Sequence, residues 1–302
     1  SRCALVVKLG GAALTDKKAF ETVSEPQLEA CARSLAEATV DLNGSMCIVH
    51  GAGSFGHFQA REYAVSKGSA EPAFSWLGFS LTRHSVGRLH QLVLAALLRE
   101  GIAAISLPPL ALGWRKGDAR GSGAALQRVR EVLSAGLVPV LHGDAVFKPG
   151  AALDSCILSG DDLLVALCAD LQPSRAVFLT DVPGVFDRPP ATEGAQLLRE
   201  VVVSRSGQLS GFVGFKSSEV AHDVTGGIRA KVEAAVAIAA RGVPVFICEA
   251  GTPHAEQALR GMQPEVCTQF VPYHLAPQTK TWQKSYLIAW LSASPLRCFF
   301  SK

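Results

Sequence analysis

The residues of this 302-residue chain best suited to chemistry gather around glycines. His50-Gly51-Ala52-Gly53-Ser54-Phe55-Gly56-His57 follows a short apolar run, Met46 to Val49. Glycines let the backbone turn tightly and come close to a ligand. A helix starting there would aim several free N–H groups at one spot, which suits an anion. His57 ends the loop and can donate a hydrogen bond or carry charge near neutral pH. Lys8 closes another apolar run, just before Leu9-Gly10-Gly11, so its ammonium must reach a polar site or stay desolvated at large cost. Lys17 lies in the loop that follows, and Lys231 in the first turns after Gly226-Gly227. Phosphoryl transfer needs fixed cations of this kind, because they match the charge on the transferring group. Two acidic motifs complete the set. One is Ser159-Gly160-Asp161-Asp162, where a carboxylate could orient the ammonium groups. The other is the turn Thr180-Asp181-Val182-Pro183-Gly184-Val185-Phe186-Asp187.

Each residue also has a plainer reading. A lone lysine at a strand end often snorkels to solvent. Asp161 and Asp162 would complement a helix dipole, and Asp181 and Asp187 are ordinary turn formers. A single histidine is more often a capping or core residue than a ligand. The case rests on the set and not on any one member.

Gly51, Gly53 and Gly56 also satisfy the spacing of a dinucleotide fingerprint. That reading needs a second strand about 20 residues on, ending in an acidic residue. Glu71 has the count but stands beside Pro72 in a loop, and the next convincing strand begins near Ala103. No G-x-x-x-x-G-K-[ST] loop is present, and Gly51-Ala52-Gly53-Ser54 is offset from G-x-S-x-G.

The elements that must position these residues alternate. Strands are expected at 4–9, 46–50, 103–107, 138–141, 176–179, 197–203, 243–248 and 266–271. Helices are expected at 26–40, with Ser24 as N-cap and Pro26 near N1, and at 74–99, 124–134, 160–171, 228–241 and 254–260. Residues 142–148 read as a turn-rich excursion and 204–215 as a glycine- and serine-rich loop. The alternation predicts a three-layer αβα sandwich with a mostly parallel central sheet. Ligands would then sit beyond the carboxyl ends of the strands, where the glycine-rich and acidic motifs fall.

Bulk composition narrows the function classes. The formal charge of +3 is mild and dispersed, which argues against nucleic acid. The eight cysteines show neither C-x-x-C nor zinc spacing and lie mostly in apolar stretches, so buried thiols and a reducing compartment are expected. No signal peptide and no apolar run of spanning length is visible, giving the expectation of a cytoplasmic protein without a membrane partner. Residues 275–302, with Trp282, Trp290, Phe299 and Phe300, break the alternation.

Taken together, these segments resemble the amino acid kinase family, and within it the isopentenyl phosphate kinases, over roughly residues 4 to 272. Lys8 to Gly11 with Lys17, His50 to His57, Ser159 to Asp162, Thr180 to Asp187 and Asp223 to Lys231 carry the resemblance. The Ser54-Phe55-Gly56-His57 ending is its more specific part. Two departures stand out: Ala52 where the family often has glycine, and Ala12 where it has serine.

The resemblance implies one kinase domain over 1–274, with the acceptor toward residues 1–170 and the nucleotide toward 171–274. It implies ATP and Mg²⁺ as cofactors, a homodimer, and phosphorylation of isopentenyl phosphate to the diphosphate in isoprenoid biosynthesis. In the same reading, Gly51, Ala52, Gly53, Ser54 and His57 hold the acceptor phosphate, with Gly160 nearby. Lys8, Gly10, Gly11 and Lys231 hold nucleotide phosphates, and Lys17 stabilises the transferring group. Asp161 or Asp162 orients the lysines. Thr180, Asp181, Gly184, Val185, Phe186 and Gly227 frame the nucleotide, and no metal ligand is expected from the protein. Trp76 and Phe79 are candidates for an apolar wall. A sibling kinase acting on another small phosphate or phosphonate, and a non-catalytic ligand-binding homologue, are the alternatives.

Overall fold

The computed structural model describes residues 3–42, 45–116, 123–148, 154–188, 190–210 and 226–276. The 275–302 segment therefore lies almost wholly outside the described residues, as do Asp223, Val224 and Thr225.

The first half runs β1 (Leu5–Leu9), a short α1 (Gly11–Leu14), α2 (Glu25–Asp41), β2 (Met46–His50), α3 (Gly53–Glu62), α4 (Trp76–Arg99), β3 (Ala104–Ser106), α5 (Gly123–Ser134) and β4 (Val138–His142). A hairpin, β5 (Asp144–Phe147) and β6 (Ser155–Leu158), follows, then α6 (Gly160–Leu171) and β7 (Arg175–Thr180). The chain continues through β8 (Glu200–Val203), β9 (Leu209–Ser210), α7 (Gly226–Ala239), β10 (Val245–Glu249), α8 (Pro253–Arg260) and β11 (Thr268–Pro272).

Among the described residues nine strands form one sheet, in the order β3-β4-β2-β1-β7-β10-β11-β8-β9. β1, β2, β3, β4, β7 and β10 are mutually parallel, whereas β11 runs antiparallel to β10. Every residue of β1, β2 and β4 is buried. This is why those strands read as unbroken apolar runs: helices cover both faces of a parallel sheet. Leu5, Val7, Met46 and Ile48 face α2, α4 and α8, while Val6, Cys47 and Val49 face α5 and α6. Alternate side chains of one strand thus feed two separate cores, and the arrangement is the expected αβα sandwich.

Local signals explain most boundaries. Ser75 caps α4, its hydroxyl accepting from the Gly78 amide at 2.9 Å, and Ser159 and Asp162 form a reciprocal capping box on α6. Ser24 does occupy the N-cap of α2, but its side chain makes no capping hydrogen bond. The segment expected as a turn-rich excursion is instead the β5–β6 hairpin, with Asp144 opposite Leu158 and Phe147 opposite Ser155. Four residues were too few for a period-two pattern to show.

Candidate active site at the carboxyl edge of the sheet

The carboxyl ends of β1, β2, β4, β7 and β10 lie along one edge, and β1 sits where the chain order reverses between β2 and β7. In open α/β sheets that position is the ligand crevice. Gly10 and Gly11 leave β1 there, and Gly51 to Gly53 leave β2 beside them. The two loops meet backbone to backbone. A Cβ on Gly11 would stand 2.3 Å from the Gly53 nitrogen, and one on Gly51 would stand 2.6 Å from the Gly11 nitrogen. Any side chain at these positions would push the loops apart. Gly53 also has φ +51°, in the left-handed region that favours glycine.

α3 begins at Gly53 without a side-chain cap, and among the described residues the amides of Ala52 and Gly53 meet no carbonyl. These are donors for an anion. The Ala52 methyl fills the space that Gly56 leaves empty: a Cβ on Gly56 would lie 2.3 Å from it. That accommodates the extra carbon where the family often has glycine. Ser54 is turned inward. Its amide donates to Thr15 Oγ1 at 2.9 Å, and its hydroxyl donates to the Thr22 carbonyl at 3.3 Å.

His57 stands exposed on the first turns of α3. Partial burial, then the charges of Arg61 and Lys17, push its pKa below the usual 6.5. It is therefore a neutral donor at pH 7, set among the cations that attract an anion.

Lys8 is buried, and its ammonium meets Asp161 Oδ1 at 2.5 Å. Burial lowers its pKa, Asp161 opposes that effect, and the positive charge of Lys231 adds to it. Lys8 and Lys231 therefore feel each other across the same space, as two phosphate-binding cations would. Gly160 makes room for Lys8: a Cβ there would stand 3.0 Å from the lysine Cε. The two neighbouring aspartates divide their tasks, Asp161 binding Lys8 while Asp162 accepts from the Ser159 amide at 3.0 Å.

Lys17 reaches across to Asp181 Oδ2 at 2.7 Å, joining the loop after β1 to the end of β7. Burial would raise the Asp181 pKa, but the hydrogen bond and charge of Lys17 outweigh it and hold the carboxyl below its usual range. Thr180 is buried, and its hydroxyl donates to Asp181 Oδ1 at 3.0 Å. Gly184 presses on Thr268, where a Cβ would come within 2.6 Å of Oγ1, and the Val185 amide donates to that oxygen at 2.8 Å. Phe186 bridges to Leu197. Gly227 is the second residue of α7, the helix that carries Lys231.

Trp76 and Phe79 belong to a small apolar cluster with Phe147, the two phenylalanine rings stacked at 5.7 Å. Sequence reasoning missed a cluster of three buried histidines, His50, His90 and His142, beneath the loop. Their one trace in the sequence is the repetition of His-Gly at two strand ends, 50–51 and 142–143. It likewise missed Asp144, which is buried in an ion pair with Arg83.

Comparison with known proteins places this geometry. The model of the Amino acid kinase family matches residues 4–249. The isopentenyl phosphate kinase of Arabidopsis thaliana is 36% identical, covering 86% of this chain and 90% of that protein. The enzyme of the same name from Methanothermobacter thermautotrophicus is 35% identical, covering 85% of this chain and 95% of its own length. Among solved structures, an isopentenyl phosphate kinase superposes with a TM-score of 0.72 at 32% identity, over 89% of this chain and all of that one. The product complex of the Thermoplasma acidophilum enzyme gives 0.69 at 27% identity, over 88% of this chain and 99% of that one. The chain belongs to the amino acid kinase family, and the relatives that match most of its length include isopentenyl phosphate kinases.

Proposed function

We propose that this chain transfers the γ-phosphoryl group of ATP to isopentenyl phosphate, giving ADP and isopentenyl diphosphate. The observation that carries the reading is the convergence of Lys8, Lys17 and Lys231 on the same edge as the amide-lined loop that ends in His57. The acceptor is a phosphate monoester, already anionic at pH 7, so no general base is needed. The obstacle is bringing two anions together, and the lysines and loop amides supply the opposing charge.

In this reading the amides of Ala52 and Gly53 and the His57 ring hold the acceptor phosphate, Gly51 shapes the loop with its own amide donating to the Leu9 carbonyl at 2.9 Å, and Gly160 lies beside them. Lys8, Gly10, Gly11 and Lys231 hold the nucleotide phosphates, and Asp161 orients Lys8. Lys17 leaves Asp181 to meet the transferring group. Thr180, Asp181, Gly184, Val185, Phe186 and Gly227 frame the nucleotide. Trp76, Phe79 and Phe147 offer an apolar wall for the isoprenoid tail. The acceptor thus lies toward residues 1–170 and the nucleotide toward 171–274.

Mg²⁺ fits as an ion brought by the nucleotide. Among the described residues no group of three His, Cys, Asp or Glu could hold a metal, and Asp161 and Asp181 are already paired with lysines. Mg²⁺ commonly binds through substrate phosphates and water, and there it neutralises phosphate charge.

No helix among the described residues is long and apolar enough to cross a membrane, which is compatible with work in the cytoplasm on a soluble substrate. A homodimer is supported by β3, an edge strand with Ile105 exposed, and by Leu92 and Leu98 exposed on α4. Sedimentation tests it, a monomer at micromolar concentration counting against it.

The deciding experiment is a coupled ADP-release assay with isopentenyl phosphate, dimethylallyl phosphate, other short-chain monophosphates, fosfomycin and acetylglutamate. Turnover highest with the isoprenoid monophosphates supports the reading. Preference for fosfomycin or acetylglutamate, or no turnover with any acceptor, overturns it.

A further inference from the structure

The three buried histidines lie outside every role assigned so far. His50 ends β2, His142 ends β4, and the two are register partners in the parallel ladder. Each folds its ring back on the glycine that follows. His50 Nδ1 lies 2.9 Å from the Gly51 carbonyl, and His142 Nδ1 lies 3.0 Å from the Gly143 carbonyl. His90, from α4, stacks on His50 with ring centroids 5.2 Å apart and lies 4.6 Å from His142. Its Nδ1 is 2.9 Å from His50 Nε2, and its Nε2 is 2.8 Å from Ser106 Oγ on β3.

A carbonyl can only accept, so His50 carries its proton on Nδ1. Burial, with His90 and His142 close by, keeps the ring neutral, which leaves Nε2 as an acceptor. His90 must then donate from Nδ1 and accept at Nε2, and Ser106 must donate its hydroxyl proton. The line has one direction: Ser106 to His90, His90 to His50, His50 to the Gly51 carbonyl. It joins an edge strand, a helix and a central strand to a single peptide group.

That peptide is Gly51–Ala52. In a planar trans peptide the carbonyl and the following N–H point in opposite directions, so fixing the Gly51 carbonyl fixes the aim of the Ala52 amide. The Gly143 amide donates to the His50 carbonyl at 2.9 Å, tying the two strand ends together. A Cβ on Gly143 would stand 3.4 Å from the Gly160 nitrogen and 3.9 Å from the Ala52 nitrogen, so these two amides approach one small space.

We propose that His50, held by His90 and Ser106, is a positioning residue that aims the Ala52 amide at the phosphate of the acceptor. The proposal rests on the reading of this loop as the acceptor cradle. It makes the neutral histidine line a determinant of acceptor affinity, separate from His57, which stands on the far side of the loop's glycines.

The test is steady-state kinetics of the full chain, varying isopentenyl phosphate and ATP separately, for His50→Leu, His50→Asn, His50→Gln and Ser106→Ala. An asparagine amide can reach the place of Nδ1, whereas a glutamine amide reaches that of Nε2. His50→Leu raises KM for isopentenyl phosphate about tenfold, the worth of one hydrogen bond to a charged group, with KM for ATP nearly unchanged. His50→Asn restores most of the loss and His50→Gln does not. Ser106→Ala, which leaves all three rings in place, gives a smaller rise in the same constant. It decides the matter should the His50 variants fail to fold. Equal changes in both KM values, equal rescue by Asn and Gln, or an unchanged acceptor KM in Ser106→Ala overturns the proposal. If the unaltered chain does not turn over isopentenyl phosphate, the functional reading has failed instead.

Discussion

In the proposed reading His57, exposed and with its pKa held below the usual 6.5, meets the acceptor as a neutral directed donor and adds little to the fold. His57→Ala is expected to cut kcat/KM for isopentenyl phosphate about 10- to 100-fold, the worth of one hydrogen bond to an anion. Its urea unfolding curve should superpose on that of the unaltered chain. Wild-type turnover in this variant would remove the acceptor assignment. Lys17 differs, because it is tied to Asp181 and, in the proposed reading, changes partner to meet the transferring group. Lys17→Ala should lower kcat about 100-fold or more, as loss of a transition-state donor does, while KM for ATP moves only a few-fold. Equal losses in both constants would count against that role. His57 was legible in the sequence because it follows Gly56, Lys8 and Lys231 because each lies within four residues of a glycine pair at a strand or helix boundary, and Lys17 because it lies in the loop after Gly10-Gly11. The partition of Asp161 and Asp162 was not, since it depends on which carboxylate the first turn of α6 aims at Lys8.

At the scale of elements, α4 is fastened to β5 by a buried ion pair. Arg83 Nε meets Asp144 Oδ1 at 3.0 Å, and its terminal nitrogen meets Oδ2 at 3.3 Å. The Leu110 amide also donates to Oδ2 at 3.3 Å. Arg83→Leu leaves a buried carboxylate with a single amide and should cost about 3 to 5 kcal/mol in urea denaturation. The double replacement Arg83→Leu with Asp144→Leu should cost less than the single one, because no charge is left stranded. A double variant as unstable as the single one would place the cost in packing. Neither residue could have been paired from sequence, where 61 positions separate them. Long periodic elements such as α4 and continuous runs such as β2 were legible, because burial on one face or on both leaves a pattern. The β5–β6 hairpin was not, each strand having only four residues, beside a glycine that read as a turn.

For the whole molecule, three buried histidines set a limit on the acid side. Burial lowers the pKa of all three, with His90 pushed down to about 3; nearby Asp144 raises and Arg83 lowers that of His142. Unfolded, each takes up a proton below about pH 6.5, and folded it does not. Their contribution to stability is complete above pH 6.5 and is lost as the pH falls. The slope is about 1.4 kcal/mol per pH unit for each ring that stays neutral in the fold. Denaturation midpoints at pH 7.5, 6.0 and 5.0 should fall accordingly, and His90→Gln should make the fall shallower. A midpoint flat to pH 5 would show that the rings protonate in place. The alternating strands and helices made the sandwich legible, but the meeting of one helix and two strands on these rings is a tertiary fact whose one local trace is the repeated His-Gly at 50–51 and 142–143.

β1 hydrogen-bonds on one side to β2, which leads into the proposed acceptor loop, and on the other to β7, whose last residue, Thr180, precedes Asp181. The two loops thus leave neighbouring strands of one sheet, about 4.8 Å apart per step. From that continuity we expect substrates to enter, and products to leave, by rearrangement of loops and side chains over a rigid floor. The sheet amides of β1 should accordingly be among the slowest to exchange with solvent, at one rate with and without nucleotide. Exchange quickened by the empty state would reveal a hinge after all.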